Sequence, residues 1–269
     1  MKAHIVRPKL DPNALYNECL QAYEEYKTFI NYPDMPKFTP KFDDQLIKQH
    51  TRAITNYCNG SYFISLSPML STLKENIRKS IYFHEFTHIK DTTTAIQFFD
   101  DPNLGNNKIK VYTEFHASRI ETMVLLNFEN SSQSKITHSN DVLIYPIDQK
   151  EMTVDKFLWN KYIHERANIK DNIDKIDSTD NYITKIKLFG KALQFALYYL
   201  GSLDLCTQNC DNSLDNYRKF IPFTEIFGDK FAEYYNELKN SREISSQKLK
   251  VLNDKELDMI RERGLIPMV

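Results

Sequence analysis

One pentapeptide restricts the fold of this chain more than any other feature: His84-Glu85-Phe86-Thr87-His88. Two histidines four positions apart bring their imidazoles to one point when the segment is a helix, because residues i and i+4 then stand one above the other. With seven histidines in 269 residues, about 0.01 accidental matches to a pattern of this kind are expected. The residues before it carry the helix. Leu73, Ile77 and Ile81 repeat at four-residue spacing and lead into both histidines on the same side. Thr72 followed by Glu75 has the form of a capping box, and Ser67-Pro68 offers a start one turn earlier.

The clearest strand signal lies just upstream. Asn59-Gly60 is the strongest two-residue hairpin turn, since both positions must accept positive φ. Pairing across it puts Ala53, Thr55, Tyr57, Tyr62, Ile64 and Leu66 on one face. The other face is more polar, which is the pattern of a half-buried antiparallel pair. Before the hairpin, a helical pattern over Ala14–Phe29 precedes a loop with Pro33, Pro36 and Pro40. After the pentapeptide, the polar run Asp100–Asn107, with Pro102 and Gly105, reads as a loop. A second helix is expected over Val111–Phe128, a polar loop over Asn130–Asn140, and a short strand over Val142–Ile147.

From Glu151 onward the pattern is helical. One helix covers Trp159, a nearly all-apolar one covers Ile183–Leu200, and two more lie around Phe223–Leu238 and Ser245–Arg263. The last is closed by Arg261, Arg263, Gly264 and Pro267. Trp159 and the aromatic segment Phe189–Tyr199 read as core. The expected class is α+β and predominantly helical: a small antiparallel hairpin or sheet on the H-E-x-x-H helix, with a helical C-terminal half. Residues 1–148 are expected to form the domain that carries the motif, and residues 149–269 a helical region packed on it or standing as a subdomain.

The chemistry follows from the residue types. His84 and His88 are candidate metal ligands, and Glu85 is placed to take a proton from a metal-activated water. Catalytic zinc takes three protein ligands, so a third is required. Glu114 lies 26 positions after His88 near the start of the second helix, with Ala117 one turn on to allow close packing. Asp91 is the rival, sharing a helical face with 84 and 88, or else it orients a histidine. Glu121 orients a histidine too, or faces solvent. His116 reads as a surface histidine, and His164-Glu165, which lacks a second histidine, as a helix surface. Cys206 and Cys210 lack a second pair and read as structural thiols. No G-x-G-x-x-G, P-loop or G-x-S-x-G occurs, which removes simple nucleotide-binding and serine-hydrolase readings.

The sequence of hairpin, H-E-x-x-H helix, then Glu114-x-x-Ala117 resembles the gluzincin class of zinc metallopeptidases, and within it the compact intracellular ImmA/IrrE-type peptidases. The resemblance spans about residues 50–130. It implies that His84, His88 and Glu114 bind Zn2+ and that Glu85 is the general base of peptide-bond hydrolysis. It also implies that the strand Ser61–Ser67 is the edge an extended peptide joins. Such enzymes stabilise the oxyanion with a Tyr or His, and Tyr112, His116, Tyr145 and His164 are the candidates. The expected partner is a peptide or protein substrate.

Composition narrows the rest. Lys plus Arg (35) nearly cancels Asp plus Glu (36), so no global field draws nucleic acid or an anionic membrane. Met1–Pro8 holds no apolar targeting core and Tyr182–Leu200 is interrupted by lysines, so a cytoplasmic protein is expected. Two other readings remain: a non-catalytic zinc-binding interaction scaffold, and a di-iron bundle built on Glu85-x-x-His88, for which the chain has no second E-x-x-H.

Overall fold

The structure, a computed structural model, describes residues 11–49, 51–219, 221–239 and 244–266. Met1–Pro8 and Pro267 lie outside the described residues. The first helix, α1 (Pro12–Phe29), begins where the Asp11 carboxylate accepts from the Asn13 N–H and Pro12 fills the first turn. Then come β1 (Phe38–Phe42), the short α2 (Gln45–Lys48), β2 (Ala53–Cys58) and β3 (Ser61–Leu66). The hairpin forms in the expected register, from Cys58 opposite Ser61 to Ala53 opposite Leu66, with Asn59 and Gly60 at φ 49° and 78°.

The sheet order is β1-β3-β2, with β1 parallel to β3. This corrects the expectation that Ser61–Ser67 forms an edge: β3 is central, and β2 is the edge beside the site described below. The segment with Pro33, Pro36 and Pro40 is also not all loop, since Pro40 sits inside β1 opposite Ile64. An edge strand tolerates a proline because one side of it has no ladder to complete.

After β3, the Ser67 hydroxyl caps a single 3-10 turn, Pro68–Thr72. The Thr72–Glu75 capping box does not form. Thr72 donates instead to the Met69 carbonyl, and the Lys74 N–H is taken by the Gln149 side chain at 2.9 Å. Helix α3 (Glu75–Phe99) carries the pentapeptide, and α4 (Pro102–Leu125) returns alongside it. The run Asp100–Asn107, expected as a loop, is mostly the opening of α4. The Asp101 carboxylate accepts from the Asn103 and Leu104 N–H groups at 2.8 and 3.0 Å, and Pro102 occupies the first turn. Gly105 explains the close pairing, because a Cβ there would stand 2.7 Å from the Ile96 backbone.

A second hairpin, β4 (Val142–Ile144) with β5 (Glu151–Thr153), leads into α5 (Val154–Asp177) and α6 (Tyr182–Gln208). The strand expected to reach Ile147 stops at Ile144, and Glu151 opens a strand rather than a helix. Then follow α7 (Asp215–Lys219), α8 (Thr224–Phe227), α9 (Asp229–Leu238) and α10 (Ser246–Glu262). Gly228, at φ 83°, breaks the continuous helix expected over Phe223–Leu238 into α8 and α9.

Helix α6 packs on both α4 and α5. Phe189, Leu193, Leu197 and Leu200 are fully buried, as expected of its apolar run. Trp159 is not core: it is 56% exposed, because Phe157, Leu158 and Lys161 take the inward face of α5 and turn position 159 outward. One continuous apolar core runs from Leu15 to Leu265 and crosses the 148/149 boundary. The fold is α+β and predominantly helical, with small sheets of three and two strands among the described residues. No described helix is long and apolar enough to cross a membrane.

Candidate metal centre

Helices α3 and α4 bring His84, His88 and Glu114 together, with one ligand atom of each within 4.8 Å of the others. The His84 and His88 Nε2 atoms are 3.0 Å apart. The Glu114 carboxylate lies 3.7 Å from His84 Nε2 and 3.9 Å from His88 Nε2. Ligands on a tetrahedral zinc at about 2.0–2.1 Å are separated by about 3.3 Å, so these distances bracket the spacing the ion needs. No other cluster of this kind occurs among the described residues.

The back of each imidazole is also held. His84 Nδ1 faces the Glu121 carboxylate at 3.3 Å, and Glu121 accepts from the Tyr198 hydroxyl at 2.8 Å. His88 Nδ1 bonds Thr113 Oγ1 at 2.9 Å, and Thr113 donates in turn to Asp91 at 2.9 Å. The Nδ1 of His88 is bonded and that of His84 faces a carboxylate, so the Nε2 atoms of both rings are turned toward the cluster, the orientation a metal-binding histidine requires. Glu121 therefore does not face solvent. Asp91 stands outside the ligand set and acts on His88 through Thr113. His116 is buried rather than on the surface and bonds Asp91 through Nδ1 at 2.9 Å.

Burial and neighbouring carboxylates compete in setting the protonation of this group. Burial pulls the His84 imidazole down, but Glu121, Glu85 and Glu114 more than offset it and raise it to about 9. Burial pushes the Glu114 carboxyl up to about 7 against the pull of His84, and holds His88 well below the usual range.

Glu85 is buried and anchored across to the sheet: Thr55 Oγ1 on β2 donates to its carboxylate at 2.7 Å and to its backbone carbonyl at 3.0 Å. Burial raises its pKa. The cluster opens into a cleft of about 630 Å³ lined by β2, α3, α4, α5 and α6, a size ordinary for a ligand site.

The helical half supplies the opposite wall, and here the reading of His164-Glu165 as helix surface is corrected. Glu165 is buried in the cleft lining and accepts from His164 Nδ1 at 3.0 Å, a bond that raises the His164 pKa. Of the four oxyanion candidates, His164 lines the cleft, whereas Tyr112, His116 and Tyr145 do not. Tyr198 and Lys161 were missed by the sequence reading. Lys161 is buried, donates to Ser118 and Ser202 at 3.0 and 2.8 Å, and places its ammonium 3.5 Å over the Tyr198 ring. Burial lowers its pKa despite Glu121 and Glu165. The i, i+4 pair of Lys161 and Glu165 was the available signal, whereas Tyr198 sits in an apolar run that marks nothing. Cys206 and Cys210 are buried free thiols, as expected, and burial pushes Cys206 up to about 12.

Comparison with protein-family models, with curated proteins and with solved structures finds no match to this chain.

Proposed function

We propose that the chain is a zinc-dependent metallopeptidase. The observation that carries this reading is the convergence of His84, His88 and Glu114 at zinc-ligand spacing, with the Glu85 carboxylate fixed beside them by Thr55. His84, His88 and Glu114 would hold a zinc ion, which would supply the Lewis acidity that polarises a carbonyl and activates water at neutral pH.

The protein's own groups do the remainder. Thr55 occupies one Glu85 oxygen and leaves the other to take a proton from the attacking water and return it to the departing amine. The free edge of β2 offers main-chain donors and acceptors to an extended peptide, which strand addition would lay across the cleft. Glu165 engages His164 Nδ1 and favours the imidazolium, so Nε2–H is available to a developing oxyanion from the opposite wall. An intracellular protein as substrate rests on the family resemblance alone.

Metal content of the native protein and of Glu114→Ala, measured side by side by inductively coupled plasma mass spectrometry, tests the ligand set. About one zinc per chain, falling sharply in the variant, is expected. Glu85→Gln should keep the zinc and lose about 10³-fold in peptide hydrolysis. An equally active Glu85→Gln protein removes the mechanism, and zinc without turnover by the native protein favours the interaction-scaffold reading.

A further inference from the structure

The charges lining the cleft are segregated by depth. Its four carboxylates, Glu85, Glu114, Glu121 and Glu165, belong to the floor, and their side chains or residues are at most 24% exposed. Each is already engaged: Glu85 by Thr55, Glu114 by the two histidines, Glu121 by His84 and Tyr198, Glu165 by His164 and Asn168. The charged groups nearer the mouth are cations drawn from three separate elements: Arg52 just before β2, Lys110 on α4 and Lys191 on α6.

These cations are not neutralised. Lys110 and Lys191 are exposed, and among the described residues no ion pair involves either of them or Arg52. The Lys110 ammonium donates to the neutral amide oxygen of Asn107 at 3.2 Å. Arg52, which lines the cleft just before β2, donates to the Pro146 carbonyl at 2.5 Å, a bond that spends one of its donors and adds no opposing charge. No exposed carboxylate lines the cleft among the described residues. The chain as a whole carries a net charge of only −1, so no overall basic charge of the protein accounts for this positive rim. Charge of one sign at the mouth of a cleft with low-dielectric walls concentrates ligands of the other sign.

Building on the peptidase reading, we propose that the cleft selects extended peptide segments carrying Asp or Glu close to the bond presented to the metal ligands. The β2 edge reads main chain and is indifferent to sequence, and the engaged floor offers little to a basic side chain. Discrimination therefore falls to the rim. Arg52, Lys110 and Lys191 favour flanking carboxylates and repel flanking lysines. Each exposed pair is weak, so the expected preference for an acidic over an uncharged peptide is about tenfold at low ionic strength. It shrinks as salt shortens the screening length from about 30 Å at 0.01 M to about 3 Å at 1 M.

The test uses zinc-loaded Glu85→Gln protein and three fluorescent peptides of one sequence, with flanking positions Asp/Glu, Asn/Gln or Lys/Arg. Anisotropy reads binding, and mass spectrometry reads cleavage of the same peptides by the native protein. The expected affinity order is acidic, uncharged, basic. Lys110→Glu combined with Lys191→Glu should invert it, with circular dichroism and zinc content showing that the fold and site persist. Equal binding of the three peptides, a basic preference, or no binding of any of them overturns the charge proposal. The acidic order without turnover leaves the charge proposal standing and removes the peptidase, whereas turnover indifferent to charge does the reverse.

Discussion

The two walls of the cleft are built by different means. The wall of β2 and α3 is local in sequence: a two-residue turn closes its hairpin, and the Thr55–Glu85 bond ties strand to helix across 30 positions. The wall of α5 and α6 reaches the site over much longer separations. Tyr198 bonds Glu121 across 77 positions, and Ser118 bonds Ser202 across 84. That wall also buries charge, with Lys161 between two serines and Arg119 paired to Asp204. Local pairings close early and cheaply, whereas non-local ones must first overcome loop entropy. The candidate metal ligands can therefore be legible as a motif while the seating of their supports depends on helices far along the chain.

Gly201 offers the sharpest way to break this contrast. A Cβ there would stand 2.1 Å from the Phe115 carbonyl oxygen, so Gly201→Ala should cost about 3 kcal/mol or more by chemical denaturation. Gly190→Ala on the same helix meets nothing within 4 Å and should instead stabilise by up to about 1 kcal/mol. Similar outcomes for the two variants would mean that α6 does not rest on α4 in this way.

Glu256 on α10 tests burial of charge away from the cleft. Burial pushes its carboxyl up to about 7 against the pull of Lys108. A carboxyl raised on folding favours the folded state below the unfolded pKa, and that contribution is lost as pH rises from about 4.5 through 7. Glu256→Gln should therefore stabilise by about 2 kcal/mol at pH 8 and leave stability nearly unchanged at pH 4. Thermal melts at both values check the sign.

The next effects distinguish the two imidazoles. Glu121→Gln should weaken zinc binding 10- to 100-fold, because His84 loses a carboxylate in direct contact. Thr113→Val, which interrupts the link from His88 to Asp91, should cost about tenfold. Tyr198→Phe removes only the donor to Glu121, worth about 1 kcal/mol, and should weaken zinc least. Competition titrations with a chelating dye would rank the three, and a larger loss for Tyr198→Phe than for Glu121→Gln would place the far wall ahead of the ligand supports.

Much of the near wall was readable because its signals are local. Asn59-Gly60 set the register, the four-residue spacing of Leu73, Ile77 and Ile81 set the helix, and the two histidines set the focus. The start of α4 was misread because a polar run with Pro102 and Gly105 looks like a loop when its two purposes, capping and close packing, are invisible. Strand β1 was missed because Pro40 argues against a strand unless the edge position is known. Trp159 and Glu165 traded expected environments for one reason. A helix chooses its buried face by what it meets, and the polar cleft drew in the Glu while the Trp was left outside. Tyr198 had no local mark, since its role exists only where α6 passes behind His84.

The three-stranded sheet has unlike borders. On β1, Pro40 lacks an N–H and interrupts any ladder a second protein might begin, while β2 borders the cleft with its six residues free of proline. Growth of the sheet would thus be directional: a guest strand added in sheet register would lie beside the His84, His88 and Glu114 cluster, and pairing between copies is discouraged at the other side. The same geometry that would admit a substrate also limits aggregation, so replacing Pro40 endangers solubility before it touches chemistry.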